Sequence, residues 1–186
     1  MRSFLLVTLV SVFGCSSSTP ESTSTAIPAA LEGYCTGKLR VATKVESPAP
    51  GGGWEGSGAT LPAGTPFVVA VDFSRFGGFA FSNGAPQKLD GDFLKGLVLG
   101  TDFESSCATK PDRDKADFVL LSKATLFTSK DLTGPPCAVP AGTKFKSYGY
   151  SGGDGPATFE SSELTALCGF AKGYSNDFHY GALVRK

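Results

Sequence analysis

The sequence predicts an all-β protein in which one small module is used twice. Three observations carry this expectation. Glycine and proline number 24 and 12, the usage of short strands joined by tight turns rather than of helices. Aromatic residues alternate in short runs such as "FAFS" and "YGYS", which places every second side chain on one face. And "LPAGTPF", ending at Phe67, returns as "VPAGTKF", ending at Phe145.

The repeat has three anchors in the same order. Gly64 and Gly142 of the two opening stretches lie 78 residues apart. "FAFSNGAP" from Phe79 and "YGYSGGDGP" from Tyr148 lie 69 apart, and Leu94 and Leu97 match Leu164 and Leu167 at 70. Three matches in register with one insertion, in the region of "VVAVDFSRF", indicate an internal duplication. In each "PAGT" the proline fixes φ, the glycine supplies a positive φ and the threonine opens a strand. Strands are expected at 67–73 and 145–150, with Asn83 and Gly84 as a tight hairpin turn. "KLRVATKV" and "ADFVLLSKATLF" supply the first strand of each copy, and the charged stretch at 109–116 reads as a linker.

The N-terminus reads as an address. One positive charge, Arg2, precedes an apolar run from Phe4 to Phe13, too short to span a bilayer but suited to a signal-peptide core. The run ends in Val12, Phe13, Gly14 and Cys15, which resembles the lipobox of bacterial lipoproteins. The resemblance implies removal of residues 1–14, a lipid on Cys15 and, with Ser16 in place of an aspartate, the outer membrane of a bacterial envelope. Residues 15–30 are rich in Ser, Thr and Pro and read as a flexible tether.

Strand, "GT" turn, strand, hairpin and short strand together resemble the bacterial SH3-like barrels of cell-wall and envelope proteins. The resemblance implies two tandem small SH3-like β-barrels with disulfide staples, at residues 31–108 and 117–186. Five cysteines are odd for an exported chain; with Cys15 lipidated, Cys35, Cys107, Cys137 and Cys168 remain as an even set for an oxidising compartment. Four cysteines allow three pairings. If turn and closing strand are neighbours in the module, Cys137 with Cys168 staples the second copy, and Cys35 with Cys107 joins the ends of the first.

Little chemistry is expected. Lys plus Arg and Asp plus Glu are both 17, so there is no electrostatic case for nucleic acid. His179 is the single histidine, which excludes a His-rich metal site, and no cofactor is expected. Ser175 and Asp177 lie near it in sequence, but a partly exposed histidine beside a terminal strand is the expectation. Asp90 and Asp92, and Asp102 and Glu104, read as turn residues, with calcium binding or a carboxylate pair as alternatives.

Trp54, in "PGGGWEGSG", reads either as a binding platform or as a lid over a barrel end. Tyr148, Tyr150, Tyr174 and Tyr180 suit an exposed amphipathic face, which makes the second copy the candidate recognition module. The expected function is therefore non-enzymatic. It is that of a lipid-anchored envelope scaffold binding a cell-wall polymer or an envelope protein, with an inhibitor or sensor of a secreted hydrolase as the alternative. Non-reducing peptide mapping is expected to recover Cys35 with Cys107 and Cys137 with Cys168. A Cys35 to Cys168 peptide would exclude separately stapled modules.

Overall fold

The computed structural model describes residues 24–50, 53–72, 75–89, 103–105, 107, 112–149, 156–176 and 179–186. The fold is mostly β. The first half carries β1 (Thr36–Leu39), β2 (Thr43–Pro48), β3 (Trp54–Leu61), β4 (Pro66–Asp72), β5 (Arg75–Ser82), β6 (Ala85–Leu89) and β7 (Phe103–Ser105). The second carries β8 (Ala116–Leu120), β9 (Ala124–Leu126), β10 (Cys137–Val139), β11 (Lys144–Phe145), β12 (Ser147–Gly149), β13 (Ala157–Glu160), helix α1 (Ser162–Cys168), β14 (Lys172–Ser175) and β15 (Tyr180–Val184). Both cysteine pairs expected from the sequence are bonded, Cys35 to Cys107 and Cys137 to Cys168.

The two halves repeat one pattern of antiparallel pairing. In the first, β1 pairs β4 and β7, β4 pairs β5, β5 pairs β6, β6 pairs β2, and β2 pairs β3. In the second, β8 pairs β11 and β15, β12 pairs β13, β13 pairs β14, and β9 pairs β10. A bridge from Phe127 to Tyr174 joins the end of β9 to β14, as β2 joins β6. The "PAGT" turns also match bond for bond. Leu39 and Leu120 each donate an amide to the threonine carbonyl at 3.0 Å, and each carbonyl accepts from the glycine amide, at 2.6 and 2.8 Å. Gly64 and Gly142 hold φ of 86° and 88°, the left-handed region that side chains resist.

Structure corrects two of the three sequence anchors. Phe79 lies on β5, the third long strand of its half, whereas Tyr148 lies on β12, which continues the strand after the "GT" turn as Ala70 does. "ELTALC", which carries Leu164 and Leu167 of the third anchor, is helix α1. Ser161 caps it by accepting from the Glu163 amide, and Gly169 ends it at φ 77°. Its counterparts Leu94 and Leu97 lie outside the described residues.

Two closed barrels were the expectation, but the described strands close none. A ten-stranded sheet runs through both halves in the order β11-β8-β15-β4-β5-β6-β2-β3, with β1 and β7 off this path. The cause is β4. The first part of its edge pairs β1 through Pro66, Phe67 and Val68, and the remainder pairs β15 of the other half through Ala70 and Val71.

β4 is also buried on both faces, which explains its uninterrupted apolar run. Phe67, Val69 and Val71 join the first half's core, with Cys35, Leu39, Phe76, Leu89 and Val184. Val68 and Ala70 face a second core, shared with Phe79, Phe81, Val119, Leu121 and Leu183. A third core fills the second half around Leu120, Leu126, Phe145, Phe159 and Leu164.

The shared core is covered by the N-terminal segment, including part of the expected tether. From Ser24 onward the chain is docked. Ser24 exchanges hydrogen bonds with Asn83, and Ile27, the fully buried Leu31 and Tyr34 pack into the shared core. Of the expected linker, residues 112–116 are described, and residues 113–115 form a single 3-10 turn.

Replacement of Leu31 by Ala is expected to cost about 2–5 kcal/mol, because the site cannot collapse against two strands. Gly181→Ala is expected to cost about 1–3 kcal/mol by overpacking, since its Cβ would lie 2.5 Å from the Phe79 ring. Gly33→Ala, with nothing within 4 Å, serves as control. Urea unfolding with the disulfides intact measures all three.

Candidate functional site

The second half builds a groove beside its "PAGT" turn. Its floor is the turn at 140–143, clamped to β8 by the bonds above and closed on itself by the Thr143 hydroxyl, which donates to the Pro140 carbonyl at 2.9 Å. One wall is Ala30 of the docked N-terminal segment, so close that a Cβ on Gly142 would sit 2.8 Å from the Ala30 Cβ. The other wall is α1, through Glu163, Ala166 and Leu167. The groove is shallow, about 440 Å³ in volume, and its lining is mostly apolar.

α1 is fixed at both ends, although seven residues are too few for a helix stable on its own. At its start the Ser161 hydroxyl donates to the Lys144 carbonyl at 2.5 Å, and the Lys144 amide donates to Glu163 Oε2 at 3.1 Å. At its end Cys168 is tied to Cys137 of β10, the strand that leads into the turn. Leu164 anchors the buried side, while Leu167 is 50% exposed.

A polar cluster stands beside the groove and is joined to it through Lys144, whose amide is bonded to Glu163. Asp117 accepts from Arg185 through both Nε and Nη2, from the Tyr34 hydroxyl at 3.2 Å, and pairs with Lys144 Nζ at 3.4 Å. The cluster thus ties the N-terminal segment, β8, β11 and the C-terminal end together. The Arg185 hydrogen bonds hold the Asp117 carboxyl below the usual carboxylate range, against the opposing effect of burial, with Lys144 and Tyr34 adding to the shift. Burial, and then the neighbouring Asp117 charge, push the Tyr34 hydroxyl well above its ordinary range.

The residues singled out in the sequence do not line this groove. Trp54 begins β3 half-buried, with its ring centroid 5.2 Å from both Phe79 and His179, and it packs onto the shared core. His179, expected to be partly exposed, is buried beside that indole. Ser175 is buried, and Asp177 lies outside the described residues. Tyr174 and Tyr180 are half-buried on β14 and β15, which do not pair with each other, and Tyr180 packs against the second-half core. Tyr148 is described only as backbone, opposite Phe159.

Tyr150, Cys15, Asp90, Asp92 and Asp102 lie outside the described residues. Glu104 is placed by its backbone on β7, opposite Lys38. Among the described residues no group of three or more His, Cys, Asp or Glu could hold a metal ion.

No protein-family model, curated protein or solved structure matches the chain. The groove and the Asp117 cluster escaped the sequence reading for different reasons. Ser161 and Gly169, the two caps of α1, were a usable signal for the helix. Nothing local marks Tyr34, Asp117, Lys144 and Arg185 as neighbours, because only the sheet pairing brings them together.

The signs of the two shifts set a pH window. Asp117 has a lowered folded value, so its contribution is full above about pH 4, the unfolded value, and is lost as pH falls through the folded value. Tyr34 has a raised value, so its contribution holds below about pH 10 and is lost as pH rises further. Asp117→Asn is expected to lower stability at neutral pH by about 1–3 kcal/mol and to flatten both limbs relative to the parent chain. Thermal melts from pH 2 to 11 would show this.

Proposed function

We propose that this protein is a lipid-anchored, non-enzymatic binding protein of the bacterial cell envelope, built from two open SH3-like units with the second as the recognition unit. The observation that carries the reading is the groove. The paired strands alone do not require α1, yet the chain inserts it and staples it beside a conserved-in-repeat turn by a disulfide. Three further features support it. The N-terminus has a signal-like apolar run ending in Cys15. The other four cysteines are consumed in two disulfides, which suits an oxidising compartment. Five of the six pairings recur as strand pairs in both units and the sixth as the single Phe127 to Tyr174 bridge, and each unit has its "GT" turn before the strand that pairs its first strand. The ligand is a cell-wall polymer or an envelope protein. An inhibitory role would call for a projecting loop, and the Trp54 indole is instead packed down on Phe79 and His179.

Two measurements test this. Labelled fatty acid is expected on the exported chain, and Cys15→Ser is expected to lose the label and move to the soluble fraction. The chain without residues 1–14 is expected to sediment with purified peptidoglycan or to bind one envelope protein saturably, and Leu167→Ser is expected to weaken that retention. A soluble, unlabelled chain retained by neither would overturn the proposal.

A further inference from the structure

The two halves form an internal comparison, because one pairing pattern was built twice with different connections. Between β5 and β6 the first half has only the turn of Asn83 and Gly84. Between β13 and β14, the corresponding pair, the second half has helix α1. The helix adds no strand pairing. Its described consequence is the groove wall, where Leu167 is one of three large apolar side chains exposed among the described residues.

The lining also carries a charge of one sign. Among the described residues Glu163 is the single charged one on it, and it enters no ion pair there. Its Oε2 takes the Lys144 amide. The neighbouring Asp117 is already answered by Arg185 and Lys144. A single carboxylate, Glu163, therefore stands at the lip of an apolar floor. Among the described residues no aromatic ring lines the groove, so they offer it no stacking surface of the kind that sugar rings favour. A volume of about 440 Å³ takes a few side chains in extended backbone rather than a folded surface.

We propose that the groove between the 140–143 turn and α1 docks an extended segment of a partner protein, with an apolar side chain against Ala166 and Leu167 and an adjacent Lys or Arg on Glu163. This rests on the second unit being the recognition unit, and it names the class of its partner. The apolar contact supplies the affinity, and the carboxylate selects charge and direction.

The test is an amide-shift titration of the chain with three probes. One is an acetylated hexapeptide of alternating leucine and alanine ending in two lysines. The second is the same peptide ending in two glutamates, and the third is an N-acetylglucosamine oligosaccharide. The lysine peptide is expected to shift Gly142, Ala166 and Leu167 saturably, and more weakly as salt rises. Glu163→Gln keeps an acceptor for the Lys144 amide, and it is expected to weaken binding by about three- to five-fold. Leu167→Ser, at an exposed position, is expected to weaken it further with an unchanged melting temperature. Equal shifts from both peptides, none from the lysine peptide, or groove shifts from the oligosaccharide alone would overturn the proposal. Retention on peptidoglycan beside a silent groove would remove this inference and leave the envelope reading standing. Groove binding in a chain that carries no lipid and is held by no envelope fraction would do the reverse.

Discussion

The rest of the structure hangs on the edge of β4. A strand has two edges, and β4 divides one of them between β1 of its own unit and β15 of the other. Backbone groups that would otherwise face solvent are satisfied by the second unit. Both faces of the strand are then dry. Phe67 and Val69 point into one core, and Val68 and Ala70 into the core that both units share. Separation of the units would expose a row of backbone donors and acceptors together with the apolar face around Phe79, Phe81 and Val119, so the two behave as one body.

That shared face needs a lid, and the chain provides it from its N-terminal end. Ile27, Leu31 and Tyr34 cover it, Trp54 closes one side, and Gly181 leaves the space that the Phe79 ring fills. The Asp117 cluster then fastens the lid's Tyr34 to the C-terminal Arg185. The recurring pairing pattern is informative where it is broken. Val119 of β8 and Leu121 just beyond it lie in the shared core, while Lys38 and Arg40, at the corresponding places in the first unit, are exposed. One copy turned a strand face inward to meet its neighbour, and the other kept that face for water.

The same asymmetry produced the groove. A two-residue turn in one copy is a capped helix in the other, held by Ser161 at its start and by a disulfide at its end. In so short a helix intrinsic propensity contributes little, and the external ties set its position. The candidate site is thus tied at both ends of α1 and placed against a turn whose glycine lies in the left-handed region. Lys144 links the site to the Asp117 cluster, with its backbone bonded to α1 and its ammonium on Asp117.

The sequence by itself determined the local features. The "PAGT" turns, the alternating strands, the Asn83 and Gly84 hairpin and the preferred cysteine pairs were all legible, because each depends on neighbours a few residues apart or on a repeat that can be read directly. The tertiary structure alone decided the rest. Tyr148 matched Phe79 in letters but lies on a different strand of the pattern, since equivalence is set by pairing and not by composition. Trp54 and His179 meet across 125 residues of sequence. Ser24 meets Asn83 across 59 residues of sequence, and Tyr34 meets Asp117 and Arg185 where β8 and β15 lie side by side. Alternation along a strand says which side chains share a face. It carries no information about which strand completes the edge, and here that edge positions both the lid and the groove.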